Sequence, residues 1–106
     1  MRLIAAALAP VLACLALASG ATASSTACTD FDYHGFHARG VRAVNLTCHD
    51  AHLIARGYVD NGHVGGYYCT KSALPHDVTE VLCSREHHGE KSGAHFGIQP
   101  IARATH

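Results

Sequence analysis

Residues 46–70 read LTCHDAHLIARGYVDNGHVGGYYCT, and this stretch decides how the chain folds. It combines a strong helical pattern with signals for both ends of a helix. Thr47 can cap the start with its hydroxyl, while Asp50 places a carboxylate near the free N–H groups of the first turn. Gly62 follows the last periodic position, where a glycine is the usual left-handed stop of a helix. These signals predict a helix over about residues 48–60.

The predicted helix has one apolar side and one polar side. Apolar residues recur at i, i+3, i+4 and i+7, which gathers them on one side of a 3.6-residue helix. They are Ala51, Ile54, Ala55 and Tyr58. The polar side carries His49, Arg56 and Asp60. We therefore expect the helix to pack its apolar side on a core and to expose the other.

The first 23 residues have the pattern of a cleaved secretory signal. Arg2 supplies a positive charge, an apolar run follows, and small residues at Ala21 and Ala23 suit a cleavage site. A membrane anchor is the alternative, but Pro10 breaks the run, which ends short of the about 20 apolar residues that a spanning helix needs. We predict secretion with cleavage after Ala23, and no membrane association afterwards.

A second alternative concerns Cys14. Residues 11–14, VLAC, have the form of a lipobox, after which bacterial lipoproteins are cut and acylated on cysteine. The following residues 15–18 are apolar and look like the core of a secretory signal, whereas an anchored protein needs a polar tether there. Cleavage and release are therefore the favoured interpretation.

Removal of 23 of the 106 residues leaves 83, enough for one small domain, 24–106, with a marginal core. Four cysteines remain, an even number in an exported chain, which favours two disulfides over a zinc site. They are Cys28, Cys48, Cys69 and Cys83. The domain is thus predicted to be cross-linked by two disulfides.

Chain geometry favours one of the three pairings that four cysteines allow. The helix climbs about 18 Å, and a returning strand of about 16 Å brings Cys69 back level with Cys48. A hairpin turn near Thr70 would place Cys83 too far from Cys69 for a bridge. We therefore predict Cys48–Cys69 and, by remainder, Cys28–Cys83. The alternative is sequential pairing, Cys28–Cys48 with Cys69–Cys83, which would need the connecting loop to twist the two strands out of simple register.

Short strands are predicted on both sides of the helix from alternation and β-forming residues. They lie near residues 31–33, 41–46, 67–70, 78–83 and 94–98. Polar loops are predicted at 72–77 and 85–93. Loose ends are predicted at 24–27 and 101–106. The fold class is α+β, with one helix packed on a small, mostly antiparallel sheet.

The charge balance argues against polyanionic partners at neutral pH. Without Arg2 the chain has 7 basic and 8 acidic side chains, a formal charge of −1 with neutral histidines. This excludes an electrostatic case for nucleic acid or for an anionic membrane surface. All 10 histidines lie after residue 23, so full protonation would move the formal charge to +9. The surface therefore changes character below about pH 6.

The order of the motifs resembles a group of small secreted actinobacterial proteins of uncharacterised function. After an N-terminal cysteine, the motifs are Leu46-Thr47-Cys48, two residues and Ala51, Gly66-Tyr67-Tyr68-Cys69, a further cysteine strand and Phe96-Gly97-Ile98. They span most of the chain after residue 23. The resemblance implies a fold and an exported bacterial origin, and it carries over no catalytic residue. The chain departs from the usual members in its many histidines, where arginine and other polar residues are commoner.

Histidines near the C-terminus are the strongest candidates for chemistry. His87, His88 and His95, with Glu86 and Glu90 nearby, offer imidazole and carboxylate ligands of the kind that zinc and copper bind. A metal needs three or four ligands that converge on one point, and a polar loop does not ensure this. A solvated, histidine-rich loop is the favoured interpretation, and we expect no cofactor.

Two H-x-x-H pairs are weaker candidates for a metal site. They are His34 with His37 and His49 with His52. The second pair lies on neighbouring positions of the helix, close enough to share one transition-metal ion. Ten histidines produce such spacings by chance, so surface positions are favoured.

Catalysis has little support in the sequence. Asp50 lies near His49 and His52, but no serine stands in a nucleophile elbow, and oxidised cysteines cannot act as nucleophiles. We therefore predict that the protein is not an enzyme. Tyr58 and one of Tyr67 and Tyr68 are expected in the core, because neighbours on a strand face opposite sides.

Three functional hypotheses remain. The first is a secreted, disulfide-stabilised binding module that contacts an extracellular protein or an envelope component. The second is extracellular zinc or copper binding through the histidines. The third is a small secreted enzyme, or an inhibitor of one.

Overall fold

The computed structural model describes residues 24–101 as six strands and one helix. In chain order these are β1 (Ser25–Ala27), β2 (Phe31–Tyr33), β3 (Phe36–Val44), α1 (Cys48–Asn61), β4 (Tyr68–Leu74), β5 (Val78–His87) and β6 (Glu90–Pro100). The predicted secretory signal, Cys14 and residues 102–106 of the predicted tail lie outside the described residues. The α+β class is as predicted.

The helix forms where its end signals predict it. The Thr47 hydroxyl accepts a hydrogen bond from the Asp50 backbone N–H at 3.1 Å and so caps the first turn. Gly62 has φ 77°, and its N–H donates to the Tyr58 carbonyl at 2.7 Å, which closes the C-terminus. Within the described part of the chain, no helix is long and apolar enough to cross a membrane.

All strand pairs in the sheet are antiparallel, in the order β1-β3-β6-β5-β4, and β2 also pairs with β3. Two of the hairpins turn on only two residues. His34 and Gly35 have φ values of 45° and 85°, and His88 and Gly89 have 54° and 79°. Positive φ at both central residues is the type I′ arrangement, which matches the twist of paired strands.

The core lies between α1 and one face of the sheet. From the helix it takes Ala51, Ile54 and Ala55. From the strands it takes Ala38, Val41, Ala43, Val81, Cys83, Ala94 and Phe96. Phe96 is fully buried, and the half-buried Tyr58 ring meets it edge-on with centroids 6.1 Å apart. Many core residues are alanines, so the helix can approach the sheet closely.

Three segments predicted to be irregular are strands. Residues 72–74 extend β4, residues 85–87 and 90–93 extend the β5–β6 hairpin to its turn, and residues 25–27 form β1 against β3. Most of these residues are exposed, so they lack the apolar alternation from which strands are predicted. Backbone pairing with a neighbouring strand holds them extended instead.

The predicted disulfide pairing is wrong, and the sequential alternative is right. Cys28 is bonded to Cys48 and Cys69 to Cys83, with Cα atoms 5.6 Å and 4.0 Å apart. The prediction placed a turn near Thr70, but β4 continues to Leu74 and the chain reverses at residues 75–77. Cys69 and Cys83 therefore lie directly opposite each other in the β4–β5 register.

The Cys28–Cys48 bond ties the start of the helix to the end of β1. Cys28 follows β1 directly, and its N–H donates to the Val41 carbonyl at 2.8 Å. α1 begins four residues after β3 ends and folds back over the sheet. Cys48 Sγ therefore lies 3.9 Å from the Ala27 carbonyl oxygen. The four predicted cysteines thus form two bridges that join neighbouring elements.

Candidate functional site

The second face of the sheet lies opposite α1. Side chains alternate along a strand, so the residues between the core positions stand on this other face. We call it the open face and define it by seven residues: Arg39 and Arg42 on β3, His95 on β6, Glu80 and Leu82 on β5, and Tyr68 and Leu74 on β4. It is the broadest surface that the described elements leave without a helix.

Large apolar side chains are exposed on the β4–β5 half of the open face. Tyr68 is 75% exposed, Leu82 45% and Leu74 44%. Tyr68 lies diagonally across from Leu82, which pairs with Thr70, and aromatic side chains reach across such a diagonal. Tyr68 and Leu82 thus form one apolar contact at the exposed side of the hairpin, and Leu74 lies further along β4, beyond the Ser72–Glu80 pair.

A β-bulge gives the other half of the open face its charge. Arg39 pairs with Gly97 and Arg42 with His95, so three steps along β3 match two along β6. In a regular strand, residues three apart face opposite sides, but the extra residue turns both arginines to the open face. Gly40 makes the bulge possible with φ 58°, and its N–H donates to Asp30 Oδ1 at 3.0 Å.

Neither of these arginines is paired with an acid. All four ion pairs among the described residues join a histidine to a carboxylate, so no lysine or arginine there lies within 4.0 Å of a carboxylate oxygen. Arg42 Nε donates to Ser25 Oγ at 3.2 Å, which uses one of five guanidinium N–H groups. The open face therefore presents two arginines whose charges are uncompensated at contact distance.

A shallow groove of about 340 Å³ lies beside Arg39. Leu74 and Val78 line its apolar wall, Gly97 contributes to its floor, and the carboxylate-bearing Glu80 also lines it. A Cβ atom added at Gly97 would lie 3.2 Å from Val78 Cγ1 and 3.3 Å from Arg39 Cγ, so the missing side chain leaves room for both neighbours. The groove joins the basic and apolar halves of the open face.

The centre of the open face holds a histidine–carboxylate pair. His95 Nε2 contacts Glu80 Oε2, and both side chains are roughly one-third exposed or more. His95 sits between Arg42 on β3 and Leu82 on β5. Glu80 is thus held by a histidine, and it shares the groove with Arg39, from which it is separated across the sheet by Gly97.

The three histidines predicted as metal candidates are not brought together. His87 and His88 stack at the β5–β6 turn with centroids 4.0 Å apart. His87 pairs with Glu90, and His95 lies five residues further along β6, about 16 Å away at the rise of a strand. Between residues 24 and 101, no group of three or more histidine, cysteine, aspartate or glutamate side chains is placed to hold a metal ion.

The members of the H-x-x-H pairs take separate partners. His37 Nδ1 lies 2.6 Å from Asp32 Oδ1, whereas His34 Nδ1 lies 3.0 Å from Asp60 Oδ1. In the second pair, His52 Nε2 lies 2.9 Å from the Thr29 carbonyl oxygen. His49 is exposed. His34, His37 and His52 thus each belong to a different local contact.

A polar cluster fastens the β2–β3 hairpin to the end of α1. The Tyr33 hydroxyl donates to Asp60 Oδ2 at 2.8 Å, and the His34 ring stacks on the Tyr33 ring with centroids 3.9 Å apart. The Tyr33 hydrogen bond, followed by the His34 hydrogen bond, lowers the pKa of Asp60 below its ordinary value. The same hydrogen bond to Asp60 is the main cause that raises the pKa of Tyr33. This cluster orders the helix terminus.

Asp50 lies in the first turn of α1. Its N–H serves the helix cap, and no hydrogen bond among residues 24–101 joins its carboxylate to His49 or His52. All four described cysteines are oxidised. Tyr58 and Tyr67 are half-buried against the core while Tyr68 is exposed, which confirms that only one of the neighbouring tyrosines faces outward.

Arg39, Arg42 and Leu82 on the open face were not predicted from the sequence as functional residues. Arg39 and Arg42 are three residues apart, so simple alternation assigns them to opposite faces. The only local indication is the glycine between them, since a glycine inside a strand pattern often marks a bulge. Leu82 stood in a predicted strand, but the open face appears only once all strands are placed.

Comparison with known proteins found no similarity on which to draw: no family model matches the chain, and neither a curated protein nor a solved structure matches it.

Proposed function

We propose that this chain is a secreted, disulfide-stabilised binding module that holds an extracellular protein or envelope component on its open face. The observation that carries the proposal is the exposure of Tyr68, Leu74 and Leu82 on one side of a sheet whose other side is already covered by α1. An apolar surface of this kind costs free energy in water and is stabilised by a partner that covers it.

The rigidity of the open face supports this role. Its four strands are hydrogen-bonded to one another in the order β3, β6, β5 and β4. The Cys69–Cys83 disulfide also cross-links the β4–β5 hairpin, on which the exposed apolar residues lie. A surface fixed in this way loses little conformational entropy on binding. The module therefore acts by presenting a preformed surface.

Two disulfides in a small domain support an extracellular site of action. Such bonds form and persist in oxidising compartments, and the predicted signal at residues 1–23 provides a route of export. An exported bacterial origin, which the resemblance to small actinobacterial proteins implies, belongs to the same proposal.

The proposal is tested with two matched substitutions. Leu82 on the open face and Leu53 on α1 are 45% and 46% exposed. Immobilised wild-type protein, Leu82→Lys and Leu53→Lys are each incubated with the secreted and envelope proteins of the producing cell, and the retained species are identified by mass spectrometry. Circular dichroism and thermal unfolding establish that all three proteins are folded.

We expect a defined species to be retained by the wild type and by Leu53→Lys, and to be lost with Leu82→Lys. A lysine at the centre of an apolar contact leaves a charge without water or partner, which costs several-fold to hundredfold in affinity. Equal retention by all three proteins, or loss with Leu53→Lys alone, would remove the open face as the binding surface.

A further inference from the structure

We infer that the open face recognises an acidic segment of a partner protein, with at least two carboxylates next to apolar side chains. This inference rests on the proposed binding function and specifies the chemistry of the partner. It is carried by Arg39 and Arg42, which the bulge turns to the same side, and by the apolar residues beside them.

The two arginine side chains extend toward different neighbours of β3. Arg42 Nε donates to Ser25 Oγ on β1, whereas the Arg39 side chain lies against Gly97 on β6. A segment that carries at least two acidic residues can place one carboxylate at each guanidinium, where bidentate hydrogen bonds form.

The charge on the open face is available for a partner. Arg56 lies over the Phe31 and Tyr33 rings, and Arg85 lies 4.9 Å from the centre of the Tyr67 ring, so these two arginines have aromatic partners within the domain. Arg39 and Arg42 have no such ring among the described residues. Glu80 lines the groove beside Arg39 but is paired with His95, and neither arginine forms an ion pair within the described residues. Both guanidinium groups can therefore still pair with carboxylates of another molecule.

The apolar half of the open face favours a protein over a polyanionic glycan. Leu82 and Leu74 lie on the strands beyond β6, and the groove beside Arg39 has an apolar wall of Leu74 and Val78. A segment with acidic and apolar residues can satisfy both halves at once. A glycan offers carboxylates or sulfates but few apolar groups to cover the leucines.

The inference is tested by selecting binders from a phage-displayed library of random 12-residue peptides on the wild-type protein. Binders are then measured by fluorescence anisotropy against the wild type, the double variant R39Q/R42Q, and Arg56→Gln as a control with a charge change on the helix side. Thermal unfolding of each variant is recorded, and polygalacturonate is titrated as a polyanionic glycan.

We expect the selected peptides to be enriched in Asp and Glu, together with apolar residues. Their affinity should fall about tenfold with R39Q/R42Q, should be unchanged with Arg56→Gln, and should weaken as salt is added. The inference is overturned if no peptides are selected, if they lack acidic enrichment, if R39Q/R42Q binds them equally well, or if polygalacturonate binds the arginines as tightly as the peptides do.

Failure of this inference is distinct from failure of the proposed function. Leu82→Lys can abolish retention of the natural partner while R39Q/R42Q retains it fully. In that case, binding through the open face is supported and the acidic partner segment is rejected. If Leu82→Lys changes nothing, the proposed function itself is rejected.

Discussion

Gly93 shows at the scale of one residue how tightly β5 and β6 approach. A Cβ atom added there would contact the Cys83 carbonyl oxygen and would lie 2.8 Å from Ser84 Cα, so backbone would have to move. We expect Gly93→Ala to lower the free energy of unfolding by about 1–3 kcal/mol, the usual cost of overpacking. Equilibrium denaturation of the oxidised protein in urea measures the change.

Gly65→Ala is the matched control for this substitution. No atom lies within 4 Å of a Cβ added at Gly65. This substitution should therefore change the free energy of unfolding by no more than about 0.5 kcal/mol. Equal losses for the two variants would contradict the close approach of the strands at Gly93.

Asp60 gives a dependence of stability on pH. Because hydrogen bonds from Tyr33 and His34 lower its pKa in the folded protein, the ionised carboxylate favours folding. This contribution is complete above the ordinary value of 3.8 and is lost as the pH falls through the lower folded value. Between about pH 5 and 3, the wild type should thus lose more stability than Asp60→Asn, by a small amount because the site is exposed.

Thermal unfolding at several pH values measures this difference. Tyr33→Phe removes the largest cause of the shift and should approach the behaviour of Asp60→Asn. Asp77→Asn, in the β4–β5 turn, should keep the acid dependence of the wild type. If Asp60→Asn also keeps the acid dependence of the wild type, the cluster makes no contribution to stability.

At the scale of an element, the helix depends on its cap. The Thr47 hydroxyl satisfies one of the free N–H groups of the first turn, and α1 carries one side of the core. Thr47→Ala should lower the free energy of unfolding by about 1 kcal/mol, whereas Thr47→Ser should restore most of it. Urea denaturation measures both changes, and equal losses for Ala and Ser would mean that the hydroxyl is not the source of the effect.

The helix was predictable from sequence, and the ends of the strands were not. Thr47, Asp50 and Gly62 determine helix ends through contacts within a few residues, so the sequence contains the relevant partners nearby. Residues 72–74 and 85–87 are extended because of strands that they pair with, and their polar side chains carry no alternation. The disulfide error followed directly, since a shorter β4 changes the hairpin register.

The open face was beyond prediction for the same reason. Its basic half depends on a bulge between Arg39 and Arg42, and its apolar half depends on β4 lying beside β5 with Leu82 turned away from α1. The histidines of the described residues are exposed or half-buried, since no polar or charged side chain there is buried. The spacing of the histidines along the chain did not indicate which of them lie close together in the structure.

At the scale of the whole molecule, this exposure predicts how the protein responds to acid. Imidazole side chains titrate near pH 6.5, and the chain after residue 23 can move from −1 to as much as +9. Between about pH 7.5 and 5.5, electrophoretic mobility should therefore reverse, and the melting temperature should not fall, because no histidine among the described residues is buried. A large fall in melting temperature over this range would instead show buried neutral histidines.

The central claim is that the open face, and not the helix side, meets the partner. Amide chemical shifts of the ¹⁵N-labelled protein, recorded with and without the partner that the wild type retains, test it most directly. We predict that the largest chemical-shift changes occur at the amides of four open-face residues: Arg39, Arg42, Leu82 and Tyr68. The amide signals of Leu53 and Arg56 on α1 should not shift. Chemical-shift changes that are confined to α1, with the amide signals of the open face unchanged, would contradict the claim that the open face binds the partner.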